Sequence, residues 1–136
     1  MLLAGKGLTD GTLDDSEARR LLEDGLSRVD LDGRRVLVLL PDSTRTCPLP
    51  MFFRSLVELM GPRVAKLDFL IALGTHQPMS REKINQLVGV TEDQRKTTYR
   101  DVDIFNHHWD QDGTFTQLGT IPAARIEEIT DGLMAE

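Results

Sequence analysis

An α/β fold, with an open and mostly parallel sheet and helices on both faces, is what this sequence predicts. Two segments, Arg35–Leu40 (Arg-Val-Leu-Val-Leu-Leu) and Asp68–Leu73 (Asp-Phe-Leu-Ile-Ala-Leu), are nearly continuous apolar runs of strand length. Each is followed by a polar loop and then by a segment of helical periodicity, and strand–loop–helix units in succession favour parallel strands joined by crossover helices. The 136 residues fall within the size of one domain. Residues 1–136 are therefore read as a single α/β domain, with the glycine-rich stretch 1–12 expected to be flexible.

Taken in order, Asp14-Asp15-Ser16 offers N-cap oxygens and Glu17 suits the positive end of a helix. Ala18, Leu21, Leu22, Leu26 and Val29 recur at helical spacing, and Asp32-Gly33 turns the chain into the first strand. Pro41 ends that strand. A second helix is expected from about Pro50, carrying Phe52, Phe53, Leu56, Val57 and Met60, and stopped by Gly61-Pro62. After the second strand, Ser80 caps a short helix that runs through Val88 and closes at Gly89. Val102 and Ile104 alternate with Asp101 and Asp103, which suits a half-exposed strand over Arg100–Asn106. Asp112-Gly113 is expected to close a hairpin onto Thr114–Leu118. Pro122 opens a last helix with Ile126, Ile129 and Leu133.

Composition narrows the function classes. A formal charge of -6 disfavours a general binder of nucleic acid or of anionic membranes, since both repel an acidic surface. No segment approaches the roughly 20 apolar residues of a membrane helix. The N-terminus lacks the pattern of a signal peptide. Cys47 is the only cysteine, so no intrachain disulfide forms. The expectation is a soluble, cytoplasmic protein with neither nucleic acid nor membrane as partner.

Chemistry is expected on the two polar loops, because each follows a strand and so lies at the carboxyl edge of the sheet, where open α/β sheets bind ligands. Asp42, Thr44 and Arg45 on one loop face Gly74, Thr75 and His76 on the other. Arg45 brings a permanent charge and a planar fork suited to a carboxylate or phosphate. Asp42 is expected to orient Arg45 or to accept from ligand hydroxyls. His76 can exchange a proton near neutral pH. Plainer readings stand beside these. Asp42 and Arg45 equally suit a turn and its local ion pair, a loop histidine is as a rule exposed or structural, and Gly74 suits a tight turn. His107-His108-Trp109-Asp110 lacks zinc-site spacing, and neighbouring strand residues point to opposite faces, so it reads as a strand end packed by Trp109 and no metal site is assigned. Cys47 reads as a small packed thiol. GxSxG, GxxxxGK[ST] and GxGxxG are absent.

Pro41-Asp42-Ser43-Thr44-Arg45 resembles the PDxTR segment of the lactate racemase family. Ala72-Leu73-Gly74-Thr75-His76-Gln77-Pro78-Met79-Ser80 resembles that family's ALGTHxxM(S/T) segment, with Glu82 as the acidic residue usual after it. Asn106-His107-His108 and Leu118-Gly119-Thr120 resemble later family segments more weakly. Order and spacing agree from about Leu37 to Thr120. The resemblance implies racemisation of a small 2-hydroxy acid such as lactate, through hydride removal and return at C2 on a nickel-pincer nucleotide. It implies His76 as proton-transfer residue, Arg45 as carboxylate ligand, and Asp42, Thr44, Gly74 and Thr75 as cofactor-side residues. Departures are equally clear. The family's cofactor-binding lysine, its metal-binding histidine and its second proton-transfer histidine lie beyond the matched segments, and after Thr120 this sequence has neither lysine nor histidine. Lys6, Lys66, Lys83 and Lys96 lie outside the expected context. The chain is accordingly expected to be the N-terminal portion of a larger protein, inactive without its remaining C-terminal part. A carboxylate- or phosphate-binding module, an epimerase of a larger hydroxy or sugar acid, and a metal-dependent hydrolase using His76, His107, His108 and Asp110 remain alternatives.

Overall fold

The computed structural model describes residues 2–134. Helix α1 (Asp15–Ser27), strand β1 (Arg35–Pro41), helix α2 (Leu49–Met60), strand β2 (Lys66–Ala72), helices α3 (Arg81–Val88) and α4 (Glu92–Lys96), strand β3 (Asp103–Asn106) and helix α5 (Ala123–Ile129) follow in that order. The three strands form one parallel sheet in the order β1-β2-β3. Register runs from Arg35 opposite Lys66 to Pro41 opposite Ala72, and Asp103 to Asn106 lie opposite Asp68 to Ile71. The expected open parallel α/β architecture is present.

Local chemistry sets the element ends. The Asp14 carboxylate accepts from the Glu17 amide at the start of α1, and the Ser80 hydroxyl accepts from the Lys83 amide at the start of α3. Gly89 ends α3 with φ +67°, a left-handed conformation in which a side chain is strained. Arg63 ties the two helix–strand turns together: its guanidinium pairs with Asp32 and donates to the carbonyls of Leu26 and Val29. Segment 2–12 carries no regular element, but Arg28 donates to the Leu3 carbonyl and Lys6 pairs with Glu17, so it lies along α1.

The core lies on one side of the sheet. Phe53 of α2 and Phe69 of β2 are fully enclosed, with ring centroids 5.0 Å apart, and Tyr99 meets Phe53 at 5.1 Å. Val36, Val38, Leu40, Leu67 and Ile104 pack into the same cluster with Met60 and Val88. Emptying a site such as that of Phe53 typically costs about 3–5 kcal/mol.

Helices on both faces were expected, and here the structure corrects the sequence reading. Leu37 is 50% exposed, Leu39 64% and Phe105 43%, so the alternate residues of the strands face outward. The reason is topological. Right-handed crossovers between strands advancing in one direction put every connecting helix on the same face. Covering the second face requires the strand order to reverse, and β1-β2-β3 does not reverse. The continuous apolar run of β1, of the kind that suits burial on both faces, is buried on one. Two smaller corrections concern the C-terminal third. β3 begins at Asp103 instead of Arg100, and no hairpin forms at Asp112-Gly113. Gly113 does turn, with φ +81° and Thr114 donating to the Gln111 carbonyl, but the chain has already left the sheet at His107 and offers no strand to pair with. The last helix ends at Ile129, leaving Leu133 88% exposed beyond it. Among the described residues no helix is long and apolar enough to cross a membrane.

Candidate functional site

The loops after β1 and β2 come together because their strands are parallel, adjacent and in register to their last residues. Between them lies a crevice of about 470 Å³, lined by Asp42, Thr44 and Arg45 from one loop, Gly74, Thr75 and His76 from the other, and the ends of both strands. All six candidate residues thus line one crevice.

Asp42 organises it. Its side chain is 7% exposed, and Oδ1 accepts from the Thr44 amide at 3.0 Å and the Thr44 hydroxyl at 2.5 Å. Oδ2 lies 2.5 Å from His76 Nδ1. A carboxylate held by so many donors favours ionisation. The Thr44 hydroxyl, followed by His76, lowers the Asp42 pKa from 3.8 to about 2. An ionised carboxylate only accepts, so His76 Nδ1 carries a proton and donates it, and in the neutral ring Nε2 keeps its lone pair. The His76 side chain is 58% exposed.

The loop carrying His76 is held from behind. Gly74 adopts φ +60° and the His76 amide donates to the Leu73 carbonyl at 3.0 Å, which makes the tight turn expected of the glycine. Trp109 Nε1 donates to the His76 carbonyl at 3.1 Å. Asn106 clamps Met79, its amide nitrogen donating to the Met79 carbonyl at 2.9 Å and its oxygen accepting from the Met79 amide at 3.0 Å. Neither supporting role was anticipated. The available signal was that Asn106 ends β3 and Trp109 follows it, at the carboxyl edge where the same loop emerges.

Arg45 differs from expectation. Asp42 turns to His76 and Thr44 instead of orienting the guanidinium. Arg45 is exposed, and among the described residues its side chain makes no ion pair or hydrogen bond; only its amide is engaged, donating to the Asp42 carbonyl at 3.3 Å. The local Asp42–Arg45 ion pair is therefore not formed. His107 packs edge-on against Phe115 with centroids 5.5 Å apart, while His108 Nδ1 stands 4.0 Å from Asp110 and lies along a different groove. Among the described residues no three His, Cys, Asp or Glu side chains gather as a metal would require. Cys47 is half-buried against the core.

Comparison with known proteins gives a consistent picture. Residues 19–131 match the profile of the lactate racemase N-terminal domain. A solved structure of a Thermotoga maritima protein resembles this one with a TM-score of 0.67 and 24% identity over 88% of the chain, which at that identity is a likeness of fold. This chain spans 27% of that protein's length. No curated protein matches.

Proposed function

The chain belongs to the lactate racemase N-terminal domain family, and from that premise we propose that its crevice is the substrate-facing half of a 2-hydroxy acid racemase site. What supports the reading is the pairing of an unengaged guanidinium with an aspartate-anchored imidazole over one crevice. Arg45 receives the substrate carboxylate through its planar fork. His76 Nε2 accepts the C2 hydroxyl proton, which raises electron density on the alkoxide oxygen and favours loss of hydride from C2. Asp42 is a positioning residue: it holds the ring and stabilises the imidazolium that forms, as a carboxylate does behind any general-base histidine.

Thr44, Gly74 and Thr75 fit the edge of a nucleotide, two offering hydroxyls and the glycine leaving its backbone bare. Among the described residues no ligand set for a metal gathers, so this crevice is assigned the nucleotide's edge and not the metal's ligands. When bound, the nickel-pincer nucleotide supplies the hydride acceptor that no protein side chain provides. Its anchoring lysine and histidine, and the proton donor for the opposite substrate face, are assigned to sequence outside these 136 residues. The natural setting is the cytoplasm, where the half-buried Cys47 stays reduced.

Titration of the isotope-labelled chain with lactate, followed by NMR, tests the reading. Lactate should perturb the amides of Thr44, Gly74 and Thr75. Arg45→Gln should weaken binding about tenfold, the scale of one charge-assisted hydrogen bond, while His76→Ala should change it less than about threefold because the base acts on the proton in flight. Affinity unchanged in Arg45→Gln refutes the carboxylate assignment. The purified chain, given lactate and the nickel-pincer nucleotide, should produce no racemate; turnover would refute the assignment of the remaining groups to other sequence.

A further inference from the structure

A separate opening in the molecule has no part in that chemistry. It is a groove of about 470 Å³ running the whole length of β3, from Val102 to Asn106, along the strand's outer edge. β3 pairs with β2 alone. The His107 amide donates to the Ile71 carbonyl at 3.0 Å. Because strand residues alternate in the direction of their backbone groups, the amides of Ile104 and Asn106 point the other way, into the groove. The Val102 carbonyl on this edge accepts from Arg95, and the unpaired backbone groups beyond it are a template for another strand.

The groove's other wall decides what kind of strand. Met79, Ile84 and Tyr99 supply apolar surface, and three guanidinium groups stand among them. Arg81 is neutralised by Glu92 and Arg100 by Asp101. Arg95 has no ion pair among the described residues; its Nη1 donates to the Val102 carbonyl at 3.1 Å, and its enclosed Nε has no partner. Burial lowers the Arg95 pKa from its usual value, so its charge is poorly solvated and its natural complement is an anion. Nearby, the Asn85 amide nitrogen is committed to Glu92 at 2.9 Å, and its enclosed oxygen is also unpartnered. One wall offers backbone pairing and the other a part-buried guanidinium with no direct ion pair among the described residues and an unpartnered Nε. A small anion would satisfy the cation and leave the strand edge bare; a strand bearing a carboxylate answers both.

We propose that this groove receives an extended polypeptide segment that adds beside β3 as a fourth strand and presents an aspartate or glutamate to Arg95. Addition of a strand to a sheet edge draws affinity from main-chain hydrogen bonds and specificity from alternate side chains. The segment's alternate residues face Ile84 and Tyr99 on the covered side, so they are apolar except for the one that meets Arg95. The Thermotoga maritima fold likeness, in which this chain matches 27% of a longer protein, is consistent with such a segment being supplied by further sequence of the same kind of protein.

The probe is a capped seven-residue peptide alternating valine and threonine about a central glutamate, added to the isotope-labelled chain. Exchange of the Ile104 and Asn106 amides should slow about tenfold or more at saturation, with the Phe105 amide, which faces β2, little changed. A glutamine counterpart of the peptide and the variant Arg95→Gln should each weaken binding about tenfold. N-methylation of the peptide on the side facing β3 should abolish binding, a control that needs no change in the protein. The proposal is overturned by equal binding of the methylated peptide, or by protection of neither amide. It is equally overturned if acetate alone competes fully for the groove, or if the two amides are protected without peptide in a concentration-dependent dimer, which would make a second copy the occupant.

Discussion

Asp42 carries more of the candidate site than its position in a surface loop suggests. It is enclosed yet ionised, and three donors from Thr44 and His76 converge on it. Replacing it with asparagine keeps the shape but puts a neutral amide, itself partly a donor, opposite donors. Asp42→Asn should therefore lower stability by about 1–2 kcal/mol, in line with lost hydrogen bonds to a charged group, measured as a shift in the urea midpoint at pH 7. The acid limb gives a second readout. The folded-state pKa of Asp42, about 2, lies below its ordinary 3.8, so between these values the unfolded chain binds more protons and stability rises with pH. Asp42 thus contributes fully above about pH 4 and progressively less as pH falls toward 2; that part of the pH dependence should vanish in Asp42→Asn. The sequence made Asp42, Arg45 and His76 legible as neighbours, because strand–loop position alone puts them at one edge. It did not reveal the bond between Asp42 and His76. Partner choice among three residues on facing loops depends on side-chain directions that only the folded backbone fixes.

Glycines at two helix and loop ends show how neighbouring elements, more than intrinsic conformation, set the cost of a change. Gly74 and Gly89 both have positive φ, +60° and +67°, so a side chain at either is strained by roughly 1–2 kcal/mol. Around Gly74 an added Cβ meets nothing within 4 Å, whereas at Gly89 it would lie 2.6 Å from Pro50 Cβ on α2. Gly89→Ala should therefore cost about 1–3 kcal/mol more than Gly74→Ala, read as the difference between their denaturation midpoints; equal costs would mean that α3 can move off α2 freely. Helix α3 was legible from Ser80 to Gly89, since cap and stop residues act locally. Helix α4 was not recognised, although Thr91 and Gln94 form a reciprocal capping box at its start; five residues are too few for apolar periodicity to register. The hairpin expected at Asp112-Gly113 failed for the opposite reason. Its turn chemistry is present and its partner strand is not, and pairing is a long-range matter that a turn cannot impose.

The sheet presents two different surfaces, and its bare one is itself divided. At the end where the strands begin, Lys66 bridges Asp103 at 2.9 Å and Asp68 at 3.4 Å, which keeps that end polar. Toward the carboxyl edge the outward residues Leu37, Leu39 and Phe105 are apolar and open. The apolar run of β1 correctly announced a parallel strand, because sequence records which residues favour burial. It could not announce that one face stays bare, because coverage depends on strand order. A bare apolar face of this kind promotes association. Leu37 is the cleanest place to test it, being half exposed, in the middle of an edge strand, and outside the Arg45–His76 crevice. Threonine is β-branched, which strands favour, and brings a hydroxyl that water can reach, so Leu37→Thr should change folding stability by no more than about 0.5 kcal/mol, as surface substitutions do. Light scattering of the concentrated chain should fall in the same variant, because the contiguous apolar strip from Leu37 to Leu39 is broken. A stability loss of several kcal/mol would instead mean that Leu37 is covered in solution, and unchanged scattering would shift the source of association to the exposed Leu118 and Leu133 near the C-terminus.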